Sequence, residues 1–161
     1  VAAMNPCPCG FATDPDRACI CSPGAVQRYA RRISGPLLDR IDLHVEVPRV
    51  PFDRLTSRVP GERSADVRAR VQAARDRQTA RFADSSVATN AEMTPPLLDI
   101  HAEPDAASQQ LLKSAVARMQ LSARAYHRIL KVARTIADLT GDEHITQAHV
   151  AEALQYRPKV E

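Results

Sequence analysis

Tryptophan is absent from these 161 residues, aromatic side chains make up 4%, and lysine occurs only at positions 113, 131 and 159. Without large rings the core must be built from Leu, Ile, Val and Ala, a composition that favours closely packed helices. No stretch approaches the roughly 18 consecutive apolar residues of a membrane span, and the first residues lack the charged start and apolar centre of a secretory signal. The expectation is a cytoplasmic chain with no membrane partner. Internal repeats and low-complexity runs are also missing. So is the phosphate-binding pattern Gly-x-x-x-x-Gly-Lys-Ser/Thr, because none of the three lysines follows a glycine. No apolar run ends in Asp-Glu to hold Mg2+. By itself the chain is not expected to hydrolyse a nucleotide. No Cys-His or Ser-His-Asp set stands out either, and His44, His101, His127, His144 and His149 are scattered as surface or core-edge residues.

What is present is arginine. The 22 basic and 19 acidic residues leave a net charge of +3, too mild to mark a nucleic-acid binder. Arg28, Arg31 and Arg32 nevertheless cluster, and Arg68, Arg70, Arg75, Arg77 and Arg81 stud a second segment. A guanidinium is a good fork for phosphate, although genomic base composition accounts for arginine in place of lysine equally well. The length suits one domain or two small pieces that need a neighbour.

Cys7 and Cys9 are answered by Cys19 and Cys21, four soft ligands within fifteen residues, with Pro6, Pro8, Gly10 and Pro15 stiffening the turns. Four thiolates around Zn2+ are the simplest way to hold so short a loop in a reducing compartment. Two disulfides, or reduced thiols without metal, are the alternatives. A complete thiolate shell leaves no position for water, so a zinc site here would be structural.

Residues 1–6 read as the end of a buried strand running into an Asn-Pro turn, which implies that the chain begins inside a fold and is part of a larger machine. Ser22-Pro23 predicts a helix to about Arg32, broken by Gly35-Pro36. Ile41, Leu43, Val45 and Val47 alternate with polar residues as a half-buried strand does. Pro48, Pro51, Pro60 and Gly61 mark a crossing in which no stable element is expected. Ser64 to about Arg81 reads as an amphipathic helix with Val67, Val71 and Ala74 on its apolar stripe. Residues 83–100 read as irregular, with Pro95-Pro96 as a stop. Three helices follow: about Asp105 to Met119, then one capped by Ser122 and ended by Gly141, then one capped by Thr146.

Two blocks carry a family resemblance. The first is Asn5-Pro6-Cys7-Pro8-Cys9-Gly10, then Arg28-Tyr29 with Arg32-Ile33-Ser34-Gly35-Pro36-Leu37-Leu38-Asp39-Arg40-Ile41-Asp42-Leu43-His44-Val45; the second runs from Leu121-Ser122-Ala123-Arg124 through Leu139. Together they resemble the magnesium-chelatase-like AAA+ ATPases of the competence protein ComM type, over nearly the whole chain. The resemblance implies a mainly α fold: residues 1–50 as the end of an AAA+ α/β core, with one or two strands and the cysteine loop, residues 51–61 as a linker, and residues 62–161 as a helical lid bundle. It implies Asn5 at the sensor 1 position, orienting the attacking water. Arg40 matches the arginine finger that reaches ATP in the neighbouring subunit, and its alternative is a salt bridge to Asp39 or Asp42. Arg124 matches sensor 2 on the lid, and Arg128, one turn on, shares its face as a second nucleotide contact; surface ion pairs are the alternative for both.

The implied parent is a ring, a hexamer, that uses ATP and Mg2+ and acts on DNA as a branch-migration helicase in recombination and natural transformation. Its phosphate loop and Mg2+-holding motif are not in this chain. Two other functions are alternatives: the motor subunit of a magnesium chelatase, against which the cysteine pairs count, and a free-standing zinc-stabilised binding module.

Overall fold

Short polar side chains cap the first turns of three helices. In this computed structural model, which describes residues 1–38 and 40–157 (Asp53 by its backbone only), the elements are α1 (Pro23–Ala30), α2 (Gly35–Leu38), α3 (Phe52–Thr56), α4 (Ser64–Arg81), a 3-10 turn (Asn90–Glu92), α5 (Pro95–His101), α6 (Ala106–Met119), α7 (Ala123–Thr140) and α8 (Gln147–Gln155). Ser22 Oγ accepts from the Ala25 N–H at 3.3 Å, Asp105 Oδ1 from Ser108 at 2.7 Å and Ser122 Oγ from Ala125 at 3.2 Å. Each satisfies a backbone donor that the first turn leaves without an intrahelical partner. The chain is therefore mainly helical, as its composition predicts.

The residues fall into two compact units, Val1–Ile41 with Val45–Val59, and Asp42–His44 with Pro60–Glu161. Among the described residues of the first unit, Cys7 alone is buried. Its small helices α1, α2 and α3 have no apolar interior of their own, and the cysteine loop is its organised centre.

The second unit is built around α7. Ile129, Leu130, Ala133, Ile136 and Ala137 form its inner face and pack with Phe82, Met93, Leu98, Leu112, Ile145, Val150 and Ala153. Truncating a residue such as Ile129, 1% exposed, to Ala should cost about 2–5 kcal/mol. Gly141 ends α7 with φ 94°, a left-handed conformation that glycine tolerates best. There the N–H groups of Gly141 and Asp142 both bond the Ala137 carbonyl, at 3.0 and 2.8 Å. At α8 the cap is reciprocal: the Thr146 N–H donates to His149 Nδ1 at 3.1 Å. Nε2 of that ring then carries the proton in the neutral imidazole and faces Asp142 Oδ2 at 3.0 Å.

Several local expectations are corrected. Residues 1–4 and 41–47 form no strand; among the described residues the only β pairing is an isolated bridge between Pro104 and Ile145. Alternation marks two faces, whereas a strand also needs a second backbone beside it. Here the His44 N–H goes to the Tyr156 carbonyl at 2.9 Å, and Leu43, Val45 and Val47 stay 52%, 67% and 87% exposed. The 51–61 segment contains α3, with Pro51 at its N-cap position. Pro95-Pro96 opens α5 instead of stopping the chain, because proline fits the first helical turn, where its missing N–H costs nothing. The same reason lets Gly35-Pro36 start α2. On α4 the buried residues are Ala74 and Gln78, one turn apart, and Val67 and Val71 remain exposed. α1 ends at Ala30, short of Arg32. Asp39, named as an alternative partner of Arg40, lies outside the described residues, as do residues 158–161 of the expected lid.

Candidate functional site

The cysteine loop closes through two local devices. The Gly10 N–H returns to the Cys7 carbonyl at 3.0 Å, with Gly10 at φ 84°, so Cys7 and Cys9 sit on one tight turn. Across the loop, Asp14 Oδ1 accepts the N–H groups of Asp16 and Arg17 at 2.9 and 3.0 Å, folding the nine intervening residues back. These turns bring the four sulfurs of Cys7, Cys9, Cys19 and Cys21 within 4.8 Å of one another. The separations Cys7–Cys9, Cys7–Cys19 and Cys9–Cys19 are 3.4, 3.7 and 3.6 Å. A tetrahedron of 2.3 Å zinc–sulfur bonds has edges of about 3.8 Å, so the cluster is sized for such an ion. None of the sulfurs is at the roughly 2.05 Å of a disulfide; all four cysteines are free.

Electrostatics agree with the geometry. The backbone N–H groups of Phe11 and then Ile20 donate to the Cys9 sulfur and lower its pKa to about 6. At Cys21 the N–H of Cys9 favours the thiolate, but the neighbouring Cys9 sulfur and burial outweigh it and push the thiol up to about 12. Sulfurs this close cannot all ionise without a cation among them. The donor set fits a soft, tetrahedral metal such as zinc.

The other sequence-derived positions divide between the units. Asn5 is exposed beside the cysteine turn, its side-chain amide 3.9 Å from where a Cβ on Gly10 would lie. Arg40 is exposed on the turn after α2, its N–H bonded to the Leu37 carbonyl at 3.0 Å. Arg124 is exposed in the first turn of α7, directly behind the Ser122 cap. A cation there stands beside N–H groups suited to an anionic ligand. Arg128 is half-buried and forms an ion pair with Asp42.

Sequence reasoning missed a buried polar network. Asp138, with no exposed side-chain surface, accepts from Arg81 at 2.8 and 2.5 Å and from Asn90 at 2.8 Å, and pairs with Arg134 at 3.1 Å. Burial works to raise the Asp138 pKa, but the bonds from Arg81 and Asn90 and the charges of Arg134 and Arg81 prevail, holding the carboxyl below its ordinary range. The spacing of Arg134 and Asp138, four apart inside an apolar helix face, was the available signal. The structure also shows that no helix among the described residues is long and apolar enough to cross a membrane.

Residues 1–55 match the family model described as magnesium chelatase, subunit ChlI, and residues 61–157 match that of the ChlI C-terminal region. The chain belongs to the magnesium-chelatase ChlI-like family. It is 43% identical over 161 residues to competence protein ComM of Haemophilus influenzae, covering 99% of this chain and 30% of that protein. It is 42% identical over 159 residues to the uncharacterized protein YifB of Escherichia coli, covering 98% and 30%, and 40% identical over 157 residues to a Mycobacterium tuberculosis protein, covering 98% and 31%. The chain thus spans about 30% of the length of the curated relatives it matches.

Proposed function

We propose that this chain is the C-terminal part of a ring-forming AAA+ ATPase that moves on DNA, a branch-migration helicase of recombination and natural transformation. The observation that carries this reading is the tandem match to both parts of the chelatase family together with ComM-type similarity along the whole chain. Residues 1–50 are the end of the ATPase core, residues 51–61 the linker and residues 62–161 the lid. Asn5 orients the attacking water as sensor 1. Arg40 acts in trans, its guanidinium placed against charge that develops on the transferring phosphoryl group. Arg124 acts in cis from the start of α7, where the Ser122 cap holds the helix N-terminus. Arg128 either contacts nucleotide after leaving Asp42 or keeps that pairing as a support for the lid.

ATP and Mg2+ need the phosphate loop and acidic motif that this chain does not carry, so the chain alone is inactive. Cys7, Cys9, Cys19 and Cys21 hold Zn2+, whose contribution is structural because four thiolates complete its shell. Four reduced thiols in one loop support a reducing compartment, the cytoplasm, as its location. The partners are further copies, six in a ring, and DNA.

The test is ATP hydrolysis by the full-length protein with and without branched DNA. Stimulation by DNA is the expected result. A rate indifferent to DNA removes the helicase reading and favours a magnesium-chelatase-type motor, the activity in the matched family's description.

A further inference from the structure

In the first unit a groove of about 470 Å3 is lined by Pro8, Ala25, Arg28, Tyr29 and Arg32. Pro8 comes from the first cysteine turn and the other residues from α1 and the turn after it, so the metal loop fixes one wall of the groove. Arg28, Arg31 and Arg32 are exposed, and Tyr29 is half-buried. Arg28 lies back along its helix over Gly24, where an added Cβ would touch its Nη1 at 3.6 Å. The Arg32 guanidinium carbon stands 6.0 Å from the Tyr29 ring centroid, and on the cysteine loop Arg17 covers Phe11 at 4.0 Å.

These cations differ from five arginines of the second unit. Arg63, Arg70, Arg81, Arg128 and Arg134 each pair with a carboxylate. Among the described residues no carboxylate lies within salt-bridge distance of Arg17, Arg28, Arg31 or Arg32. Like charges three and four apart repel along a helix. One cation is enough to complement the C-terminus of α1, so the cluster exceeds what the helix needs. A ring with a guanidinium beside it, flanked by unpaired forks, is the chemistry that stacks a base and grips the phosphates on either side.

We propose that this groove binds single-stranded nucleic acid, with Tyr29 under a base and Arg28, Arg31 and Arg32 on adjacent phosphates. The proposal rests on the DNA reading above and assigns that partner a site.

The experiment uses the full-length, zinc-loaded protein with a non-hydrolysable ATP analogue, titrated into a fluorescein-labelled oligothymidine over a salt series. The triple substitution Arg28→Gln, Arg31→Gln and Arg32→Gln is compared with a charge-matched control, Arg68→Gln, Arg75→Gln and Arg118→Gln. Three lost phosphate contacts should weaken binding about tenfold or more and flatten the log–log salt slope by about 2, since each contributes about 0.7 on a single strand. The control should bind as the unsubstituted protein does, and zinc content should be unchanged in both. If the unsubstituted protein binds and the groove variant binds equally well, the groove is wrong and the DNA reading stands. Equal losses in variant and control mean diffuse charge and overturn the site. No binding by the unsubstituted protein overturns both. Should the triple variant fail to fold, photocrosslinking of the unsubstituted protein to an iodouracil-containing strand decides: a crosslink on Tyr29 supports the site, and crosslinks only elsewhere overturn it.

Discussion

Asp138 joins three elements of the second unit through one carboxylate: Arg81 ends α4, Asn90 opens the 3-10 turn, and Arg134 precedes it by one turn on α7. Removing one partner of a buried pair leaves the others desolvated and uncompensated, so Asp138→Ala should destabilise the protein by about 3–5 kcal/mol, read from urea unfolding. The acid limb has a definite sign. Because the folded carboxyl lies below its ordinary range, its contribution is complete above the unfolded pKa of about 3.9 and disappears as pH falls through the lower folded value. Asp138→Asn should therefore lose stability less steeply below about pH 4 than the parent. Parallel curves would show that Asp138 is not the responsible group. The spacing of Arg134 and Asp138 was visible in the sequence, but such a pair is solvated on most helices, and only the packing of α4 and the 3-10 turn against α7 buries it.

Elements were legible where their determinants are local. Ser22, Ser122 and Thr146 announce their helices, Gly141 ends α7, and the spacing from Ile129 to Ala137 gives the core face of that helix. Elements that depend on a distant backbone were not legible: Ile41, Leu43, Val45 and Val47 alternate as a strand does, yet no second strand lies beside them among the described residues. Of the site, the cysteine cluster could be read because all four ligands fall within one loop. Asn5, Arg40 and Arg124 were reached only by resemblance, since their roles depend on a nucleotide and a neighbouring subunit that nothing in the local sequence encodes. With Cys7 as the one buried residue described in the first unit, chelation should raise amide exchange across residues 5–21 while the core of α7 keeps its protection. Cys9→Ser should reduce bound zinc, measured by elemental analysis, from about one ion per chain to a small fraction. Metal-free protein with unchanged exchange in the loop would rule out a structural ion.

At the scale of the molecule, two family regions follow one another along the chain, and two arginines assigned to ATP hydrolysis sit in different compact units. Arg40 is proposed to serve the neighbouring subunit's nucleotide and Arg124 its own. In the full-length protein, Arg40→Ala should lower the ATPase rate by about 10³-fold or more, the range over which a finger stabilises the transferring phosphoryl group. Nucleotide affinity should change little, because that charge develops in the transition state. Arg124→Ala, touching bound nucleotide, should weaken affinity as well as rate. Mixing the two inactive variants separates the assignments. A ring site whose own subunit keeps Arg124 and whose neighbour keeps Arg40 is complete, so a mixture should regain activity that neither variant has alone. If Arg40 acts within its own subunit, every site in the mixture lacks one of the two groups and no activity returns, and the assignment of Arg40 as a trans-acting finger is lost.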